Sequence, residues 1–154
     1  LDPVKQFHLI PSIADGIRTK ADKPFKWYII GGGNDEVAKL IEREIERYNV
    51  SDCVKLLGMK TNPYAYMAKS DLFVCTSWSE SYPMVVNEAK ALGVPVVCNT
   101  FPSAKESVRN GVDGYIREIE KMPEAIASAI VAPMKTGVQD NENDRIICQF
   151  YNLF

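Results

Sequence analysis

The chain has 154 residues, 46% of them apolar, with 18 basic side chains against 20 acidic ones and a formal net charge of −2. That is enough for one domain with a core of its own, and the near-even charge excludes a nucleic-acid platform, which would show a basic excess or stripe. No apolar run approaches bilayer-spanning length, the N-terminus has no signal-peptide pattern, and a single histidine, His8, leaves no basis for a metal site.

In chain order, Asp2 and Pro3 open a helix with Val4, Phe7, Ile10, Ile13, Ala14 and Ile17 on its apolar side, which Pro11 should bend. Trp27 to Ile30 is a strand running into Gly31-Gly32-Gly33, and Asn34 caps a helix with Val37, Leu40, Ile41, Ile45 and Tyr48 on one stripe. A Gly-x-Gly-x-x-Gly reading of the glycine run fails, because Glu36 stands where the third glycine belongs and Asp35 adds negative charge. Val54 to Gly58 is a strand whose last glycine could admit a flat base close to the backbone. Asn62-Pro63 then starts a short helix to Lys69, whose Tyr and Met side chains read as core.

Asp71 to Cys75 is a short apolar run, read as a buried parallel strand. A helix follows from Met84 to Leu92, with Pro83 at its start and Gly93 and Pro95 as its stop. Val94 to Cys98 is the next strand, and Ser103-Ala104-Lys105-Glu106 has the pattern of a capping box, which makes Glu106 structural. A short strand closes the segment Ser103 to Ile116, Pro123 to Val131 is an alanine-rich helix, and Asp140 to Tyr151 reads as a final helix. Cys53, Cys75, Cys98 and Cys148 are too scattered for a Cys-x-x-Cys site and read as core thiols, which fits a reducing, cytoplasmic setting. Five strands alternating with helices give an α/β class: a Rossmann-like open parallel sheet with helices on both faces.

The chemistry gathers at the helix opening after Cys75. Ligands of open α/β sheets bind beyond the carboxyl ends of the strands, where a helix N-terminus offers free N–H groups to a phosphate. Two acids bracket the opening: Glu80 in the turn, and Glu88 roughly 7 to 8 Å along the axis at about 1.5 Å per residue. Carboxylates repel phosphate but accept hydrogen bonds from hydroxyls, so the pattern suits an elongated ligand of sugar, diphosphate and nucleoside.

Glu80-Ser81-Tyr82-Pro83-Met84-Val85-Val86-Asn87-Glu88-Ala89, followed by Gly93-Val94-Pro95-Val96-Val97, resembles the Glu, seven residues, Glu signature of retaining group 1 (family 4) glycosyltransferases of GT-B fold. The matching segment belongs there to the C-terminal, donor-binding domain. The resemblance implies Glu80 on the transferred sugar and Glu88 on the nucleotide ribose, with Tyr82, Pro83, Met84 and Val85 forming the diphosphate mouth. Pro83 lacks an N–H, so the Met84 and Val85 amides are the expected donors. Lys5 matches a Lys that sits on the diphosphate, and Gln6 stands where many members have Gly. The family strand ending in Gly-Arg belongs before Leu1. The resemblance also gives Gly32 and Gly33 to one wall of the donor cleft, and Gly58, Met59 and Lys60 to the nucleobase through main-chain groups. Thr100-Phe101-Pro102 replaces a glycine pair that many members show.

The resemblance thus implies the donor-binding half of a hexosyltransferase, acting without metal or other cofactor on a nucleotide sugar, UDP favoured over GDP or ADP. Its expected partners are the nucleotide sugar and an N-terminal acceptor domain, with no nucleic acid, and any peripheral contact with the inner face of a membrane falls to that other half. Two other readings use the same residues. One is a GT-B nucleotide-sugar epimerase. The other is a glycoside hydrolase with Glu80 and Glu88 as its acid pair, which needs carboxyls about 5 to 9.5 Å apart.

Overall fold

The computed structural model describes residues 3–132 and 145–151. Its strands are β1 (Phe25–Gly31), β2 (Val54–Gly58), β3 (Leu72–Cys75), β4 (Val96–Cys98), β5 (Gly114–Ile116) and β6 (Arg145–Tyr151). They form one sheet in the order β2-β1-β6-β3-β4-β5, every pair parallel. Between them run α1 (Ile10–Arg18), α2 (Asp35–Arg47), α3 (Pro63–Lys69), α4 (Met84–Ala91), α5 (Ala104–Ser107) and α6 (Met122–Val131). The Rossmann-like α/β class expected from the sequence is the one observed.

Successive strand residues turn to opposite faces, and each face has its own core. Trp27, Ile29, Leu72, Val74 and Ile147 pack with Ile13 and Ile17 of α1, Ile41 of α2 and Ile126 of α6. Ile30, Phe73, Cys75, Cys98 and Phe150 pack on the other side with Met67 of α3, Val86 of α4 and Ala104 of α5. All four cysteines are buried free thiols, and burial pushes Cys98 and Cys148 up to about 12.

The last element corrects the sequence reading. Residues 145–151, expected within a helix, form β6, which pairs with β1 from Phe25↔Arg145 to Gly31↔Tyr151 and with β3 at Leu72↔Ile147 and Phe73↔Cys148. The run Ile146-Ile147-Cys148-Gln149-Phe150 is apolar but for Gln149 and buried on both faces from Ile147 on, and periodicity alone does not separate such a run from a buried helix. The slot between two strands, where β6 pairs with β1 along its whole length and with β3 at two positions, decides for the strand. Residues 140–144 of that expected helix lie outside the described residues, as does Asp2.

The first helix is also shorter than expected. Two 3-10 turns, Pro3–Lys5 and Phe7–Leu9, precede α1, and Gln6 between them takes a left-handed backbone with φ 52° that no helix continues through. Pro11 sits in the first turn of α1, where its missing N–H costs nothing, so it begins the helix instead of bending it.

Candidate functional site

The turn from Thr76 to Pro83 carries the chain from β3 into α4 at the carboxyl edge of the sheet. Pro83, at φ −79° and ψ 74°, is the centre of a tight inverse turn in which the Met84 N–H donates to the Tyr82 carbonyl at 2.9 Å. The Val86 and Asn87 N–H groups both donate to the Pro83 carbonyl, at 3.0 and 3.2 Å. Of the two amides expected to face a phosphate, Met84 is therefore already engaged. Val85 finds no acceptor among the described residues. The mouth is open at Tyr82 (72% exposed) and Met84 (59%), while Pro83 between them is buried and Val85 half-buried.

The loop bearing Lys5 is fastened to this edge. The Trp78 N–H donates to the Val4 carbonyl at 3.0 Å, and the Thr76 hydroxyl to the Lys5 carbonyl at 2.6 Å. Gln149 of β6 is buried beneath and donates through Nε2 to Thr76 Oγ1 at 2.7 Å, so the central strand supports the Lys5 backbone through one hydroxyl. Asn99, just past β4, donates to Gln6 Oε1 at 3.3 Å. With its backbone held, the Lys5 ammonium forms an ion pair with Glu80 Oε1, both side chains largely withdrawn from solvent. Lys5 and Glu80, 75 positions apart in sequence, are thus one unit.

Ser103 completes that flank. Its hydroxyl does not cap α5, as the capping-box pattern predicts, but donates to the Glu80 carbonyl at 2.6 Å. At φ −86° and ψ 3°, Ser103 lacks the extended backbone from which a cap reaches forward. Asn34 and Asn62, at φ −143° and −131°, do cap α2 and α3 as expected.

Glu88, one turn into α4, faces α3. The Tyr64 hydroxyl, from the first turn of α3, donates to its Oε1 at 3.1 Å. Burial, this hydrogen bond and the carboxylate's charge all raise the Tyr64 pKa above its ordinary value. The other expected residues lie in the turns after β1 and β2. Gly33 (φ +88°) and Gly58 (φ +67°) adopt backbones that favour glycine, and the Met59 side chain lies over Gly32, where a Cβ would come within 2.7 Å of it. Met59 is 58% exposed and Lys60 half-buried.

Of the expected residues, the structure joins Lys5 to Glu80 and lays the Met59 side chain over Gly32, while Glu88 is joined to Tyr64. Among the described residues no hydrogen bond or ion pair links Glu88 to the Lys5–Glu80 pair or to the turns after β1 and β2. Tyr64, Ser103, Thr76 and Gln149 are site-supporting residues that sequence reasoning missed. Tyr64 was read as core, Ser103 as a cap, and nothing in the pattern around Thr76 or Gln149 marks them. Among the described residues no three His, Cys, Asp or Glu side chains gather as a metal site.

Fold and edge together define a Rossmann-like domain with two carboxylates, Glu80 and Glu88, on the turn and helix that follow β3 at the carboxyl edge of the sheet. Residues 2–135 match the family described as Glycosyl transferases group 1, and the chain belongs to it. It is 31% identical over 128 residues to N-acetylgalactosamine-N,N'-diacetylbacillosaminyl-diphospho-undecaprenol 4-alpha-N-acetylgalactosaminyltransferase of Campylobacter jejuni, covering 81% of this chain and 32% of that protein. It is 35% identical over 104 residues to poly(glycerol-phosphate) alpha-glucosyltransferase of Bacillus subtilis, covering 65% of this chain and 15% of that protein. Among solved structures, Anabaena HepE in complex with UDP and glucose superposes with a TM-score of 0.74 at 26% identity, covering 88% of this chain and 38% of that one. An S. aureus TarM variant in complex with fondaparinux, alpha-GlcNAc-glycerol and UDP gives 0.75 at 27% identity, covering 83% and 26%. The chain thus spans between 15% and 38% of the length of these proteins.

Proposed function

We propose that this chain is the donor-binding half of a retaining, metal-independent glycosyltransferase that moves a sugar from a nucleoside-diphosphate sugar to an acceptor in polysaccharide or glycoconjugate synthesis. The observation that carries this reading is the Lys5–Glu80 pair beside the open α4 mouth. A cation and an unengaged amide there suit a diphosphate, and the acid on either flank suits a ring bearing hydroxyls. Transfer breaks the bond between the anomeric carbon and the diphosphate, and the charge that develops on the leaving oxygen is met by the Lys5 ammonium and the Val85 N–H. Glu80 orients the sugar hydroxyls and Glu88 the ribose, while the turns at Gly32, Gly33, Gly58, Met59 and Lys60 receive the base.

UDP is the favoured nucleotide, since the HepE and TarM complexes contain it, and the alpha linkage in the names of the Campylobacter and Bacillus relatives supports retention. The acceptor site then belongs to a companion N-terminal domain, in keeping with the greater length of the relatives. A cytoplasmic enzyme touching the membrane through that companion fits a relative that acts on a diphospho-undecaprenol substrate. Titration calorimetry with UDP-, GDP- and ADP-sugars tests the donor site. Binding of a UDP-sugar is expected, and no heat from any of the three overturns the reading.

A further inference from the structure

Resting on that reading of Glu88, we propose that Tyr64 is a positioning residue of the donor site: its hydroxyl holds Glu88 Oε1, so that Oε2 is presented to the nucleotide's ribose. Sequence, packing and geometry lead to the same arrangement. Asn62 caps α3 by accepting from the Ala65 N–H at 3.3 Å and Pro63 fixes its first turn, which places Tyr64 at the edge facing α4. The ring is then braced edge-on by Phe150 at 6.3 Å between centroids, and Phe150 in turn by Phe73 at 5.6 Å. Phe150 and Phe73 are buried, so a line of rings runs from the sheet interior to the rim and leaves the phenol little freedom.

The 3.1 Å contact joins residues 24 positions apart on different helices, so no local helix geometry imposes it. A glutamate on an open helix face has several rotamers of similar energy, and a donor rising from the neighbouring helix selects one of them. A phenol suits that task better than a lysine would: it satisfies one carboxylate oxygen and leaves the negative charge available to accept from a sugar hydroxyl. The Lys5–Glu80 pair on the opposite flank is held by opposite charges, so the two acids are oriented by different means.

The test measures UDP and 2′,3′-dideoxy-UDP affinity by calorimetry in the full 154-residue chain, in Tyr64→Phe, in Glu88→Ala and in the double variant. Phe keeps the ring packing, so the melting temperature should stay close to that of the unaltered chain. Tyr64→Phe is expected to weaken UDP about three- to tenfold, less than a hydrogen bond to a charged group is worth, because the Glu88 carboxylate itself remains, to leave dideoxy-UDP unchanged, and to add nothing on top of Glu88→Ala. A purely structural hydroxyl would lower the melting temperature and leave UDP affinity intact, and that outcome overturns the proposal. Equal losses for UDP and the dideoxy nucleotide, or tighter UDP binding in Tyr64→Phe, overturn it as well. If the unaltered chain binds no UDP, it is the donor-site reading itself that fails.

Discussion

Glu80 and Glu88 stand on two sides of one helix mouth and are held in opposite ways. Glu80 sits in a turn, and its geometry depends on distant segments: Lys5 on its carboxylate and Ser103 on its carbonyl. Glu88 sits inside regular α4, its backbone fixed by the helix, and only its side chain is tuned, by the neutral phenol of Tyr64. The difference has a chemical consequence. On the proposed donor-site reading, a diphosphate entering the mouth competes with Glu80 for Lys5, so that flank rearranges its charge on binding, whereas the Glu88 flank is ready to accept hydroxyls beforehand.

Lys5→Ala should break the comparison most severely. It removes a cation from the diphosphate and leaves the Glu80 carboxylate to repel it, so UDP affinity is expected to fall by about a hundredfold, the upper range for a charged hydrogen bond. Uridine, which has no diphosphate, should bind as before. If Lys5→Ala weakens uridine as much as UDP, Lys5 supports the loop and does not read the phosphates.

Exchanging the two acids sharpens the contrast. Glu88→Ala removes the ribose acceptor and should weaken uridine, UDP and a UDP-sugar alike, about tenfold. Glu80→Ala should spare uridine and weaken only the UDP-sugar in comparison with UDP. Identical profiles for the two variants would erase the assignment of sugar and ribose ends.

The same contrast shows what the sequence could reveal. Much of what local rules set was legible: the caps at Asn34 and Asn62, the parallel strands around Trp27, Leu56, Val74 and Val97, and the helix with Pro83 at its mouth and Glu88 inside it. What depended on distant partners was not. Arg145 to Tyr151 carries a helix-compatible apolar pattern, and only the slot between β1 and β3 makes it a strand. Ser103 has the neighbours of a capping residue and bonds Glu80 across 23 positions instead. Gln6 gives no hint of its left-handed backbone, because glutamine is an uncommon choice there. The Lys5–Glu80 unit was legible as two residues with roles on neighbouring parts of one ligand, but not as an ion pair, since spacing says nothing about contacts made by tertiary packing.

Ser103→Ala is the milder way to disturb the Glu80 flank. It removes one hydroxyl from the Glu80 carbonyl and leaves every charge in place, at a cost of about 1 kcal/mol, typical of a neutral hydrogen bond. The expected result is a UDP-sugar affinity a few-fold lower, with UDP and uridine unchanged. An equal loss for all three ligands would show that Ser103 supports the whole edge and not the Glu80 turn.

The smallest effect is expected at a third acid, Asp113, which precedes β5 and pairs with Lys90 at the far end of α4, and which serves as the control for both others. Lys90, two residues beyond Glu88, donates to the Ser107 carbonyl and lies 3.2 Å from Asp113 Oδ2, and Arg109 donates to that same oxygen at 2.8 Å. Burial alone would raise the Asp113 pKa, but hydrogen bonds from Arg109 and Lys90 outweigh it and hold the carboxyl below its ordinary value. A carboxyl with a lowered pKa in the folded state contributes stability in full above the unfolded value of 3.8, and loses that contribution as pH falls through the lower folded value. Asp113→Asn should therefore lower the melting temperature at pH 6, with the gap to the unaltered chain narrowing below about pH 4, near the ordinary Asp value. Since the cluster anchors the end of α4 away from the mouth, UDP and UDP-sugar affinities at pH 6 should not change. A loss of nucleotide affinity in Asp113→Asn would mean that Glu88 is positioned by the helix's anchorage as well as by Tyr64, and the two flanks would then depend equally on distant contacts.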